Sequence, residues 1–399
     1  MKSAAAAAAE PVRRIDPAAL TAPAAVDRLR VLALGAGVIG AVLLMIGFFV
    51  GPEYFFRSYL VGWVFWTGIA LGSLALLMVQ HMTRGAWGVA GRRVMEAATR
   101  TLPWMLLLVI PLLLGFYQLY PAGHELSEGK ASYLSPPGFV VRLVVYFAIW
   151  LFLTFTLNRL SAQQDREANP DLIARMKRIA APGIPLWGLC VTFASIDWLM
   201  ALDPHWYSTM YGVWLIGSVG LSAISFLILM SVWLWRREPM DGVLRPGHFH
   251  DWGKLMLAFT MLWAYFSFSQ FLIMWAGNLP EEIIWYKRRV TGGWGVVAVV
   301  IVIFHFALPF LLLLSRDLKR RPRQLVFVAG LMLVMRLVDL FWQVEPGFAG
   351  RHVPALYWMY AAAPLAIGGI WLWLFLGELK KRPLLPVNDP YLAEALAHE

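Results

Sequence analysis

Cysteine and charged residues are scarce in this chain. Cys190 is the single cysteine among 399 residues. One thiol excludes an internal disulfide and cannot hold a cysteine-ligated zinc site or an iron–sulfur cluster, so any such cofactor would belong to a partner. Only 15% of the residues are charged, whereas 60% are hydrophobic. That is too little charge to cover a soluble protein of this size, so lipid must cover much of the exterior.

About ten apolar runs are long enough to cross a bilayer, which takes about 20 residues of helix. The sequence therefore predicts an all-α integral membrane protein with a transmembrane domain at 31–377. We expect a flexible cytoplasmic tail at 1–30 and a second cytoplasmic tail at 378–399. The predicted spans, numbered 1 to 10 in chain order, are 31–50, 57–81, 98–119, 139–160, 182–201, 206–235, 253–276, 291–314, 324–343 and 355–377.

Lysine and arginine are distributed unevenly between the two sides of these spans. Of the 34 Lys and Arg residues, 26 fall on the side of the two tails, seven fall on the other side and Arg336 falls within span 9. Basic residues accumulate on the cytoplasmic side of membrane proteins, so both ends are expected in the cytoplasm. Topology thus explains the formal charge of +10, and nucleic acid is not an expected partner.

Spans 2 and 6 carry similar stripes of small residues, which let helices approach closely. Two parallel four-helix units, spans 2–5 and 6–9, together with two peripheral helices would account for the similarity. Chance recurrence of small residues would account for it equally well. The stripes are Gly68, Ala70, Gly72 and Ser73 in span 2, and Gly217, Gly220, Ser222 and Ala223 in span 6.

Ionisable side chains in or next to the spans are the candidates for function, because each costs roughly 2.5–3.5 kcal/mol to insert into a bilayer. We expect an inner group where spans 2 and 3 meet, an outer group at the span 5–6 hairpin and in span 9, and one histidine between them. The proton-path candidates are His81, Glu96, Asp197, Asp203, His205, His305, Arg336 and Asp339. The chain has no phosphate-binding glycine loop, metalloprotease helix or catalytic triad, so no catalytic residue is predicted.

These candidates have a functional and a structural interpretation. In the functional one, the inner and outer groups form two polar half-paths bridged by His305, whose ordinary pKa near neutrality suits a proton relay. In the structural one, Arg336 and Asp339 form a packing ion pair, since they lie three residues apart on one helix face. The inner residues would then cap helix ends, the hairpin residues would be hydrated, and His305 would make an interhelical hydrogen bond.

Two further features bear on cofactors and partners. A membrane b-type haem needs two axial ligands at one depth, and His305 is the single clearly central histidine, so neither haem nor metal is expected on this chain. The stretch 248–251 (HFHD) fits an interfacial loop better than a metal site. The segment 279–289 (LPEEIIWYKRR) alternates apolar and charged residues, which predicts a short interfacial helix or a docking surface for lipid or an extramembrane partner.

Several motifs resemble a known family. The run 65–73 (FWTGIALGS), with His81, Arg93 and Glu96 after it, resembles the NrfD/polysulfide-reductase-like membrane subunits. More narrowly, the runs 194–200 (ASIDWLM), 203–212 (DPHWYSTMYG) and 278–282 (NLPEE) resemble the ActF-type subunit of alternative complex III, a bacterial quinol:electron-acceptor oxidoreductase. The resemblance extends from about Tyr54 to Leu376.

The resemblance implies a cofactor-free, ten-helix subunit of a respiratory complex in the bacterial inner membrane. The implied partners are a sister NrfD-like membrane subunit, an iron–sulfur subunit on the outer face and multihaem cytochrome c subunits. These partners would carry the iron–sulfur clusters and haem c, and the sister would be the better candidate for the quinol pocket. The subunit itself would support proton translocation, with quinone or quinol as the ligand it would bind. The motif residues carried over are Asp197, Asp203, His205, His81, Arg93 and Glu96.

Two other functions fit the same residues. A stand-alone secondary transporter would have a similar number of spans, although the middle of these spans is poor in ionisable groups and no corresponding pair of spans is obviously interrupted. A purely structural anchor would hold extrinsic redox subunits to the membrane through the loop 281–289. Haem-bearing partners that copurify with the chain would exclude the stand-alone transporter.

Overall fold

The structure is a computed structural model that describes residues 20–83, 85–120, 128–348 and 352–397. The described residues contain ten helices that are long and apolar enough to cross a membrane, and no β-strand. The chain is therefore an all-α integral membrane protein, which confirms the predicted fold class. In span order the helices are Ala25–Val50, Pro52–Thr83, Arg92–Leu114, Pro136–Arg166, Pro170–Leu202, Tyr211–Leu234, Pro246–Gly277, Trp294–Leu314, Pro322–Gly347 and Pro354–Leu379.

Short helices connect or follow the spans. They are Ala86–Val89, Phe116–Leu119, Glu128–Tyr133, Pro280–Val290, Arg316–Arg320 and Leu392–Ala397. Residues 1–19 of the predicted N-terminal tail, Arg84, Arg351 and residues 398–399 lie outside the described residues.

Both ends of the described chain lie on one face of the helical bundle, which we call the basic face. The Leu384 N–H donates to the Leu20 carbonyl oxygen at 2.9 Å, and Lys380 pairs with Asp27 at 2.5 Å. The even number of spans among the described residues requires this arrangement. We call the other end of the bundle the opposite face.

Spans 2 and 6 form the centre of the bundle, and 89% and 83% of their apolar windows are buried. Span 2 packs against spans 3 and 5, span 6 packs against spans 7 and 9, and the two central spans contact each other. A Cβ on Gly72 would lie 2.0 Å from the Val219 carbonyl oxygen, so the small-residue stripe does permit a close helix crossing. Spans 1 and 10 pair beside span 2, where a Cβ on Gly369 would lie 2.2 Å from the Gly37 backbone nitrogen.

Span 5 begins well before its predicted start at residue 182. Its helix runs from Pro170, because the Asn169 side chain accepts the Asp171 N–H at 2.9 Å and proline fits the first turn of a helix. The added segment is polar and therefore does not register in an apolar window. It lengthens the helix at its basic-face end.

Proline interrupts spans 3 and 8. Span 3 is divided into Arg92–Thr99, Leu102–Leu107 and Ile110–Leu114, and the second and third pieces have Pro103 and Pro111 in their first turns. Each proline lacks the N–H that would continue the preceding turn. Spans 3 and 8 would not hold matching places in the two predicted four-helix units, so they lack the symmetry typical of transporter repeats.

Span 8 contains a π-helical segment, Val302–Ala307, with His305 inside it. Pro309 follows four residues after His305 and therefore cannot donate a backbone hydrogen bond to the His305 carbonyl group. The Leu308 N–H instead reaches back to the Ile303 carbonyl oxygen. Such wide turns occur frequently at functional sites.

Candidate functional site

A buried ionic network lies on the basic face, where spans 2, 3 and 4 meet. Arg93 donates to Glu96 at 2.7 Å and to the Ser161 hydroxyl at 3.1 Å, and it also pairs with Asp165. Ser161 in turn donates to Glu96 at 2.6 Å. His81 is buried beside this network, within electrostatic reach of Glu96. The structure thus brings the two predicted inner residues together.

The segment 380–397, which we call the tail segment, covers this network. Arg382 donates to Glu96 at 3.4 Å, and Asp389 pairs with Arg92 at 2.6 Å. Leu384 and Leu385 of this segment are buried. Sequence reasoning missed these partners because they follow the last span, where we expected only a tail. The Leu-Leu pair before Asp389 was the signal that this tail packs against the bundle.

Asp197 lies at the opposite-face end of span 5, where an arginine and a tyrosine of span 4 bind its carboxylate. Arg142 of span 4 donates to its two carboxylate oxygens at 2.9 Å each, and the Tyr146 hydroxyl donates to it at 2.8 Å. Arg142 is itself fixed by the Tyr133 carbonyl oxygen at 2.7 Å. A two-pronged arginine–carboxylate pair of this kind is strong and geometrically specific. It joins spans 4 and 5.

The hairpin between spans 5 and 6 binds the helix Pro280–Val290, which we call the loop helix. Asp203 accepts from Arg288 at 2.9 Å, and the ring of Trp206 stacks on that of Trp285 with centroids 4.8 Å apart. The short helix predicted for this segment is confirmed. His205 is exposed on the hairpin, so the structure leaves it outside the buried groups.

The loop helix begins where span 7 ends, and the local sequence explains both boundaries. Asn278 adopts a left-handed conformation with φ of 47°, which ends span 7, and asparagine tolerates that conformation. Pro280 then starts the next helix in the position that suits proline. This turn places the buried face of the loop helix, with Trp285 and Tyr286, against the ends of spans 6 and 9.

Arg289 of the loop helix is fully buried, and backbone carbonyl oxygens accept hydrogen bonds from its charged guanidinium. It donates to the Gln343 carbonyl oxygen at 2.6 Å and to the Trp285 carbonyl oxygen at 3.0 Å. Its guanidinium lies 3.6 Å from the centroid of the Trp285 ring. Burial lowers the pKa of Arg289 to about 9, because removing a charge from water disfavours the charged form. This burial could not be predicted, because Arg289 lies in a loop segment outside the spans.

A line of hydrogen bonds, which we call the polar chain, connects Arg289 to the interior of span 9. The Tyr211 hydroxyl donates to Gln343 Oε1 at 3.0 Å, and Gln343 Nε2 donates to Asp339 at 3.0 Å. Asp339 also accepts from Arg336. The predicted Arg336–Asp339 pair therefore forms, and it lies at the inner end of a chain that reaches the opposite face. Asp197 lies in a separate network that joins spans 4 and 5.

His305 is buried at the inner end of the polar chain. Its ring centroid lies 4.2 Å from that of Trp263 on span 7, and the ring lies within electrostatic reach of Arg336. Neither His305 ring nitrogen has a hydrogen-bond partner among the described residues. The interhelical hydrogen bond expected from the structural interpretation is therefore not found in the described part of the chain, and neither is a hydrogen bond from His305 to the basic-face network.

A further ionic group on the opposite face was not foreseen. Glu345 of span 9 accepts from Arg57 at 3.4 Å and contacts His352 at 3.2 Å, and Tyr360 also donates to it. Arg57 is the first residue of the predicted span 2. A charged residue at the end of a span was the sign in the sequence that an ionic group could lie here. The partners lie 288 residues apart, so the pairing itself could not be predicted. The group ties spans 2, 9 and 10 together.

A cavity of about 610 Å³, which we call the lateral cavity, lies between spans 7, 8 and 9 and the loop helix. Its walls are largely aromatic and aliphatic, and Asp339 contributes a carboxylate. Tyr265 and Phe268 line the cavity and are 62% and 61% exposed on the outside of the bundle, so the cavity is open towards lipid. Its volume falls within the range of about 300–1,000 Å³ that is typical of small-molecule sites.

Three donors in the cavity wall lack hydrogen-bond partners. The Nε1–H groups of Trp214 and Trp263 and the Tyr286 hydroxyl are buried with none among the described residues. Burial raises the pKa of Tyr286, so its hydroxyl keeps its proton. Buried donors are usually paired, so unpaired ones indicate a missing acceptor. The wall therefore offers three donors and one carboxylate in apolar surroundings.

Fold and site together define a multi-pass membrane protein with buried ionic networks at both faces. Among the described residues, no three His, Cys, Asp or Glu side chains come together as a metal site would require. His248, in the stretch we considered for metal binding, accepts the Arg245 N–H at 3.1 Å through Nδ1 and caps span 7. Comparison with models of known protein families finds no match, and comparison with curated proteins finds none either.

Proposed function

We propose that this chain is the cofactor-free membrane subunit of a quinol-oxidising respiratory complex of the alternative complex III type. In this proposal it moves protons through the polar chain and binds quinone or quinol in the lateral cavity. The observation that carries the proposal is the position of Asp339, which lies both in the cavity wall and at the inner end of the polar chain.

The polar chain has the parts that a proton route needs. Asp339 is 0% exposed, and a buried carboxylate can exchange a proton when its surroundings change. Gln343 and Tyr211 continue from it by hydrogen bonds of 3.0 Å each. Arg289 supplies a positive charge at the opposite-face end and would oppose an excess proton there. Proton transfer along this route would therefore need a change at the opposite face that weakens the repulsion between Arg289 and the proton.

The lateral cavity has the parts that a quinone site needs. Quinone and quinol have an apolar body with oxygens at two ring positions, and they reach the protein through the bilayer. The opening beside Tyr265 and Phe268 would admit such a molecule from lipid. Its oxygens would accept from Trp214 or Tyr286, and a quinol hydroxyl could donate to Asp339. Quinol oxidation releases two electrons and two protons. Redox partners would take the electrons, Asp339 would take one proton, and water at the opposite face would take the other.

The basic-face network would be the second half of the proton route. Glu96 and His81 are buried under the tail segment, and Arg93 keeps the carboxylate charged through a bond of 2.7 Å. A proton route through the whole bundle would have to join this network to His305. The proposal therefore requires water or a helix movement to connect the basic-face network with His305. Spans 2 and 6 would separate the two groups until this connection forms.

Copurification tests the assignment to a respiratory complex. We expect a tagged chain, extracted in mild detergent, to bring an iron–sulfur subunit and c-type cytochromes with it. The eluate would then show the visible absorbance of haem c, and a variant with a reversed loop-helix charge, Arg288→Glu, would bring less. A colourless chain that elutes alone from intact membranes would contradict the proposal and favour a stand-alone transporter.

A further inference from the structure

A second cavity, of about 380 Å³, lies on the basic face between the end of span 6 and the start of span 9. It is lined by Val232, Trp235, Arg236, Arg237 and Arg323. Three of these five residues are arginines, and none has a carboxylate partner among the described residues. The cavity therefore gathers three positive charges that the rest of the described protein does not neutralise. We call it the arginine pocket.

Two tryptophans set the depth of the arginine pocket in the membrane. The Arg236 guanidinium lies 4.8 Å from the ring centroid of Trp235, and that of Arg237 lies 4.2 Å from the ring centroid of Trp233. Tryptophan prefers the headgroup level of a bilayer. Arg237 also donates to the Trp233 carbonyl oxygen. The rings thus hold two guanidinium groups at the level where lipid phosphates lie.

The chemistry of the arginine pocket selects a phosphate. Guanidinium groups present several N–H donors in a plane and match the oxygens of a phosphate. Val232 and Trp235 add an apolar wall on the side of the bilayer, which suits a phosphate attached to a glycerol and acyl chains. Basic pockets between spans on this side of membrane proteins bind anionic lipid headgroups.

We propose that the arginine pocket is a binding site for the phosphodiester headgroup of an anionic phospholipid. The lipid would lie where span 6 meets span 9 and would neutralise Arg236, Arg237 and Arg323. Span 9 carries Asp339, so a lipid bound at its basic-face end would also steady the helix that holds the polar chain. The site does not depend on the proposed function, because it rests on charges and depth alone.

Native mass spectrometry of the purified chain tests this site. We expect the wild type to retain added phosphatidylglycerol and the variant R236Q/R237Q/R323Q to bind it about a hundredfold more weakly, from about fivefold for each arginine. The matched control is R166Q/R175Q/R178Q, which removes the same charge from exposed arginines on the same face. It should bind phosphatidylglycerol like the wild type. Equal loss in both variants would overturn the site, because general charge would then explain the binding.

A single-residue variant and two competing probes complete the test. If the triple variant does not fold, R323Q alone removes an exposed side chain and should weaken binding about fivefold. Unchanged binding by this variant would overturn the assignment of Arg323. Inorganic phosphate and phosphatidylcholine are the competing probes. Displacement of phosphatidylglycerol by millimolar inorganic phosphate would show a free-phosphate site instead, and equal binding of phosphatidylcholine would show that charge is not recognised.

Discussion

The Asp339→Asn variant should lower proton translocation more than electron transfer. Asparagine keeps the shape of the side chain and still accepts from Gln343, so the polar chain should stay in place. It cannot take up a proton as a carboxylate does, so the polar chain would lose its proton acceptor. In proteoliposomes that contain the whole complex, we therefore expect fewer protons moved per electron and near-normal electron transfer.

The stability cost of this variant follows from the Arg336–Asp339 pair. Both side chains are buried, with 4% and 1% of their area exposed. Removing one partner of a buried pair leaves the other charge uncompensated and costs about 3–5 kcal/mol. Replacing both partners by apolar residues of similar volume is instead neutral, or stabilising by about 1–4 kcal/mol. R336L/D339L should therefore unfold at a higher temperature than D339N.

This pair of variants separates a structural role from a proton-transfer role. If Asp339 serves only packing, R336L/D339L should restore both stability and proton translocation. If Asp339 carries protons, the double variant should be stable and still translocate poorly. Asp197→Asn is the matched control, because Asp197 is a buried, arginine-paired acid between spans 4 and 5 and outside the polar chain. Normal translocation by R336L/D339L, or an equal loss of electron transfer in D339N, would refute the reasoning.

Three further predictions concern the fold. Gly72→Ala should destabilise the bundle by more than about 2 kcal/mol, because its Cβ would lie 2.0 Å from the Val219 carbonyl oxygen, whereas Gly330→Ala meets nothing within 4 Å; thermal unfolding in detergent compares them, and equal stability would contradict the close crossing. Asp389→Asn should release the tail segment by leaving Arg92 unpaired, so trypsin should cut at 380–382 faster than in the exposed control Glu394→Gln; equal cleavage would contradict a role of the Arg92–Asp389 pair in holding the tail segment. In a Cys190→Ala background, an impermeant maleimide added outside cells should label Lys287→Cys and leave Asp241→Cys unlabelled; the reverse pattern would place the basic face outside.

The helical fold could be predicted because lipid imposes a simple rule on sequence. Each span needs a long apolar run, and the ten windows found in the sequence correspond to the ten membrane-length helices among the described residues. The ends and interruptions of the helices depend instead on capping residues and prolines. Span 5 extends to Pro170 through a polar segment capped by Asn169. The interruption of span 8 depends on a single proline, and hydropathy does not register it.

The sequence predicted many of the individual residues of the candidate site, but only some of the groups that these residues form. His81 with Glu96 and Arg336 with Asp339 were foreseen, since each set lies close in sequence or at one end of adjacent spans. Arg289 and the lateral cavity were not foreseen, because both depend on how the loop helix packs. Pairs such as Arg57 with Glu345 join distant parts of the chain, and one sequence gives no measure of such contacts.

The tail segment has a consequence for how the protein is made. Arg382 contacts Glu96 from 286 residues further along the chain, so the ribosome synthesises spans 3 to 10 before this contact can form. During translation Arg92 lacks its partner Asp389, and the basic-face network stays open to the surrounding water. Completion of the network thus follows insertion of span 10 into the membrane. A chain that stalls before this point would present unpaired charges on its basic face, which quality-control proteases could recognise as unfinished.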